Sequence, residues 1–219
     1  NFFLTDSSSA DVANLFMYYK KNKANKTSEK WNKTIKLEDS KIKAFLVFLY
    51  DAQVIETYST QTFDSWSYDE TVKREALSDS KWIKSLEQKY NETKDPFLKN
   101  RYWFLTIKAY FYSVQQANAI TFFNQTEKTA PKNTLYYRAL AYLAGIEYQQ
   151  KHYAKSNYLY SRVFDKCPAM RVVSAYCFHP QEEKDWKQSL AMAKNDEEKA
   201  ALWAIQGYYN DEEKAIAEI

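Results

Sequence analysis

Between Asn100 and Pro168 the chain writes one pattern twice, 37 residues apart. The first copy runs Trp103, Thr106, Ile107 and Tyr110, then Ala119 and Phe123, then Pro131; the second runs Leu140, Leu143, Ala144 and Tyr148, then Ser156 and Tyr160, then Pro168. Residues three and four apart share one face of an α-helix. Each copy therefore holds two helical stripes, and the proline closes the unit because it cannot continue a helix. A helical hairpin of this kind cannot bury its apolar face alone, so it stacks on its neighbours. The spacing predicts helix pairs over 96–114 with 117–129 and over 134–150 with 153–166.

Gly145 and Gly207 are the only glycines in 219 residues, where average usage of about 7% would give roughly fifteen. That scarcity disfavours sheets with tight primed turns. It also excludes glycine-rich phosphate loops and the nucleotide chemistry that depends on them. An all-α chain is expected. With 31 basic against 28 acidic residues, the net charge of +3 provides no field to draw nucleic acid. No apolar run approaches the ~18 residues of a membrane span, so none is expected in this segment. Cys167 and Cys177 are too few for a disulfide framework and leave a single pairing open. The chain starts at Asn1 without a signal peptide and stops at Ile219 within a helical run, which reads as a segment of a longer protein.

Along the chain, residues 1–8 read as a linker and 9–94 as an N-terminal helical region. Within that region Ser9 is expected to cap a helix to about Lys20. The run Lys20–Lys36, with seven lysines against Glu29 alone, holds a short helix around Trp31. Asp39 or Ser40 starts a long helix reaching about Tyr58, residues 59–68 form a loop, and helices follow near 69–77 and 79–93. Residues 95–168 carry the two repeated helix pairs, with Pro96 in the first turn, where its missing N–H costs nothing. In 169–219, Pro180 followed by Glu182, Glu183 and Asp185 marks a helix start, with Trp186, Leu190 and Ala193 on its buried face. Asn195 or Asp196 caps the next helix and Asp211 the last, and Trp203 with Gly207 echoes the opening of the repeat.

The repeated residues resemble the tetratricopeptide repeat (TPR), whose signature is W-x-x-L-G-x-x-Y, A-x-x-x-F and P over a helix–turn–helix unit. Thr106 and Ile107 stand where that family prefers Leu and Gly, and Glu147 stands where it places Tyr. The resemblance implies α-hairpins stacked as an α/α superhelix, with small residues at the helix crossings: Ala109 and Ala119, then Ala144 and Ser156. It also implies a concave groove lined by the first helix of each pair. By motif position the groove residues are Arg101, Phe104, Lys108, Phe111 and Tyr112, then Arg138, Ala141, Gly145, Tyr148 and Gln149. The implied role is a non-enzymatic scaffold that holds a protein or peptide partner. Arg101, Lys108 and Arg138 would favour an anionic ligand, or else are solvated charges on a helix face. The segment Arg138–Gly145 is also similar to the middle of large bacterial envelope proteins, which points to the cell envelope or periplasm and brings no activity with it. The alternative role is a glycan-binding segment of an outer-membrane-type lipoprotein built on a TPR-like scaffold.

Nothing in the residues assembles a catalytic or metal site, and no cofactor is called for. His152, Cys167, Cys177 and His179 lack zinc spacing, and the acidic pairs fall at helix starts, where capping explains them. The lysine run lacks the aromatic interleaving of a nucleic-acid surface. Of the 19 Tyr, 13 Phe and 6 Trp, most fall on helical stripes and read as packing. Phe63, Trp66 and Tyr68 do not, and are the candidates for a sugar platform.

Overall fold

A computed structural model describes residues 8–60 and 76–208. The expected helices near 69–77 and from Asp211, the 1–8 linker, and the Phe63, Trp66 and Tyr68 platform lie outside the described residues in whole or in large part. The described chain is 75% helix, without strands. Eleven α-helices follow one another: α1 (Ser9–Lys21), α2 (Lys26–Trp31), α3 (Ser40–Ser59), α4 (Ser80–Glu92), α5 (Pro96–Phe111), α6 (Ala117–Thr126), α7 (Thr134–Gln149), α8 (Tyr153–Lys166), α9 (Arg171–Tyr176), α10 (Glu183–Met192) and α11 (Asp196–Gly207).

Most of the starts are set by short polar side chains that accept the orphan N–H groups of a first turn. Asp39 accepts from Lys41 and Ile42, Asp95 from Leu98, Asn133 from Leu135 and Tyr136, and Asn195 from Glu198. Two starts differ from expectation, each for a reciprocal cap. Ser8 rather than Ser9 caps α1, because Asp11 three residues on returns the bond to the Ser8 amide. The helix after Pro180 begins at Glu183, because Asp185 accepts from the amides of both Gln181 and Glu182 and holds them outside it. After α8 the chain makes a 3-10 turn at Pro168–Met170 and then forms α9. With so little glycine, α1 and α7 turn off through Asn22 (φ 48°) and Lys151 (φ 62°), both in the left-handed region.

Two helices organise the packing. The α5 helix lies against α3, α4, α6 and α7, and α8 lies against α7, α9, α10 and α11. Around α5 the core gathers Ile55, Ile83, Leu86, Trp103, Ile107, Phe123 and Leu143; around α8 it gathers Ala144, Tyr160, Phe164, Leu202 and Ile205. A smaller cluster of Leu15, Trp31, Leu37 and Leu46 joins α1 and α2 to α3. Trp103 is 1% exposed: its ring stacks on Tyr136 of α7, and its indole N–H donates to the Thr126 hydroxyl of α6 at 2.7 Å. Ala109, Ala119, Ala144 and Ser156 are all fully buried, and Ser156 donates to the Ala144 carbonyl at 2.9 Å, so α7 and α8 meet at van der Waals distance. On α10 the deeply buried positions are Asp185 and Ser189, while Trp186, Leu190 and Ala193 are only half buried. Ser189 takes that place because its hydroxyl reaches the Asp185 and Ala154 carbonyls.

Two polar ties cross the α5 core. Asp51 of α3 is 2% exposed, accepts from the Lys89 ammonium of α4 at 2.6 Å, and lies 3.4 Å from the Tyr102 hydroxyl of α5. Burial raises the pKa of its carboxyl against the pull of Lys89. The residue entering α4 is clipped to the end of α5: the Leu77 amide donates to the Tyr112 carbonyl at 2.9 Å, in an isolated parallel bridge between Leu77 and Ser113.

Candidate functional site

The stripe expected to line a groove is built by α5 and α7, with α3 beside them. Its centre is Tyr142, whose ring meets Phe111 at 4.7 Å, Phe104 at 6.0 Å and Tyr112 at 6.0 Å. The Arg138 guanidinium lies 5.6 Å from the Phe104 ring, a cation–π distance. Phe104, Tyr112 and Arg138 are thus brought together. Phe111 also crosses Gly145, where an added Cβ would come within 3.1 Å of the ring, so aromatic side chains cover the helix backbone here.

The other three candidates sit differently. Lys108, expected to face solvent, is 13% exposed at its side chain and ion-paired to Glu56 of α3 at 2.8 Å. The Lys108 ammonium is the main reason that the Glu56 carboxyl is held below its ordinary pKa. Arg101 is half buried: its guanidinium lies 3.3 Å from the Phe97 ring centre, and desolvation depresses its pKa. Tyr148 is exposed at the far end of α7 and packs its ring on Tyr153, six residues along the helix from Tyr142.

On the opposite face of α7 lies a cleft of about 400 Å³ that the sequence reading did not anticipate. At 100° per residue, Tyr136, Leu140, Leu143 and Glu147 form a stripe about half a turn from Arg138, Ala141 and Gly145. That stripe is the floor. Ile120 and Phe123 of α6, with Glu127 just past its end, make one wall, and Lys155, Leu159 and Arg162 of α8 the other. The walls stand apart because α6 and α8 each pack on α7.

The cleft's charges are unevenly satisfied. At one end Glu147, 3% exposed at its side chain, is held by Lys155 at 2.6 Å and by His152 at 2.8 Å. Its position in the repeat, where an aromatic residue was expected, was the sequence signal for it. At the other end Glu198 accepts from the Tyr158 hydroxyl and the Lys194 amide, both at 2.9 Å. Although burial works against it, these bonds hold its carboxyl below the ordinary pKa. Arg162 lies 3.5 Å from Glu198, yet its buried Nη1 makes no hydrogen bond. Lys132 sits 3.6 Å over the Tyr136 ring, and burial depresses its pKa despite the nearby Glu127.

The cysteines and histidines stay dispersed. Cys167 and Cys177 are both free thiols. His179 meets the Asn157 side chain through its backbone amide. Among the described residues no three His, Cys, Asp or Glu side chains are grouped to hold a metal ion, and no helix is long and apolar enough to cross a membrane. No family model, curated protein or solved structure matches the chain.

Proposed function

We propose that this chain is a TPR-like, non-enzymatic helical-repeat scaffold that binds a protein or peptide partner on the shared face of α3, α5 and α7, with its hairpins stacked as an α/α superhelix. The observation that carries this reading is the convergence of Phe104, Tyr112 and Arg138 around Tyr142, beside the Lys108–Glu56 pair. Aromatic rings next to an arginine are the composition of binding hot spots: they bury area at low entropic cost and anchor a partner's polar groups. Arg101 stacked on the 49%-exposed Phe97 extends the same chemistry one turn toward the start of α5.

The test is capture of the partner from the source cell's envelope fraction with wild type and with the Arg101→Ala/Arg138→Ala pair, alongside melting curves. Loss of capture with an unchanged melting curve supports the reading. Equal recovery with both proteins rejects this face as the binding surface.

A further inference from the structure

The cleft between α6 and α8 is independent of that face, since it opens on the other side of α7. Its floor and walls are apolar through Ile120, Phe123, Leu140, Leu143 and Leu159, and the floor from Tyr136 to Glu147 runs roughly 16 Å at ~1.5 Å per residue. Cationic nitrogens with hydrogen-bonding capacity to spare lie at the Tyr136 end. Both oxygens of Glu147, at the opposite end, are taken by Lys155 and His152. At the Tyr136 end Lys132, Arg162 and Lys194 line the cleft together with Glu127 and Glu198. Asp165 lies 4.0 Å from Arg162 and 3.0 Å from Lys166, which Glu197 also holds, and the Asp165 Oδ2 makes no hydrogen bond. Glu127 is engaged by the Tyr136 hydroxyl at 3.3 Å. Lys132 reaches only the Glu127 carbonyl, at 3.4 Å, and Arg162 has a buried nitrogen without a bond. Lys132 lies over the Tyr136 ring, and Arg162 lines the same cleft.

We propose that this cleft binds a small amphiphilic monocarboxylate, its carboxylate between Lys132 and Arg162 and its aliphatic chain along Leu140, Leu143 and Leu159. A single negative charge suits Lys132, whose hydrogen bond goes to a backbone carbonyl, and the unbonded Nη1 of Arg162. A dianionic phosphate would meet Glu127 and Glu198 at close range. A cleft of this size, mostly apolar with a few converging polar groups, is within the usual range for a small-ligand site. The bound carboxylate would give Lys132 and Arg162 the charge-assisted hydrogen bonds they lack.

The experiment is calorimetric titration of the chain with decanoate below its micelle concentration, compared with decanol and decylamine. Saturable one-to-one binding of decanoate is expected, with decanol and decylamine at least about tenfold weaker. Lys132→Gln and Arg162→Gln should each weaken decanoate about tenfold or more, the loss of one charge-assisted bond. Lys132 is exposed at the rim, so its variant keeps the fold even if Arg162→Gln, with its Glu198 contact, melts early. The proposal is overturned by absence of saturable uptake, by decanol binding as tightly as decanoate, or by unchanged affinity in a folded Lys132→Gln protein.

Discussion

Truncation of Trp103 tests the packing around α5 most directly. The side chain is 1% exposed, stacks on Tyr136, tilts against Phe123 at 5.7 Å and donates to Thr126, so it touches α6 and α7 at once. A buried aromatic of this size removes about 150–250 Å² from water, worth about 4–6 kcal/mol at ~25 cal/mol per Å². Partial collapse of the surroundings lowers that, and Trp103→Ala is expected to cost about 3–5 kcal/mol. At about 2–4 °C per kcal/mol for a chain of this length, the melting temperature should fall by roughly 6–20 °C. Trp103→Phe separates the two contributions: it keeps a ring between Tyr136 and Phe123 but loses the indole N–H, and should cost about 1–2 kcal/mol. A double-mutant cycle of Trp103→Phe with Thr126→Val isolates the bond between them, with an expected coupling of about 1 kcal/mol. The assay is urea unfolding followed by the helical circular dichroism signal, comparing midpoints at constant slope. A Trp103→Ala cost below about 1 kcal/mol with an unchanged slope would refute this account of the core.

Three further outcomes follow from other features. Lys151→Gly should stabilise the protein by about 0.5–1 kcal/mol in thermal unfolding, because Lys151 sits at φ 62° where a Cβ is penalised; a loss of stability would mean that its side chain matters more than the strain. Ser156→Leu should destabilise by at least about 1–3 kcal/mol, since the Ser156 hydroxyl lies 2.9 Å from the Ala144 carbonyl and the crossing has no room; a near-neutral midpoint would show that α7 and α8 can part cheaply. Asp51 has its folded pKa raised above the ordinary 3.8, so the folded state holds that proton longer than the unfolded chain. Its contribution is fully present below the unfolded pKa and is lost as pH rises through the folded one. The stability of wild type relative to Asp51→Asn should therefore fall as pH rises above about 3.8 and then level off, measured as denaturant midpoints across a pH series; a rise through that window would show Lys89 outweighing burial.

The local elements were legible because their signals are local. Asp39, Asp95, Asn133 and Asn195 announce helix starts within three residues, and Pro96 marks the first turn of α5. The 37-residue period placed α5 to α8 to within three residues at every end. What escaped depends on partners far along the chain. Lys108 reads as a solvated lysine until α3, 52 residues earlier, delivers Glu56 to it. Motif position brought Phe104, Tyr112 and Arg138 together but left Arg101 on Phe97 and Tyr148 on Tyr153, since ring contacts depend on side-chain direction as well as spacing. The cleft escaped altogether: its walls are stripes on two helices, and the gap between them depends on how α6 and α8 lean on α7, which no single stripe encodes.

The clip between Leu77 and the end of α5 has a consequence for how this chain can vary. The helix that leads into residues 61–75 is held to α5 by the Glu56–Lys108 pair, and the chain that leaves them is held by the bond from Leu77 to the Tyr112 carbonyl. Lys108 and Tyr112 are one helical turn apart, so both anchors sit at the same corner of the molecule. Because Glu56 and Leu77 are fastened side by side, these two anchors set how α3 and α4 meet α5, so substitutions that keep both anchors should leave the three helices in place.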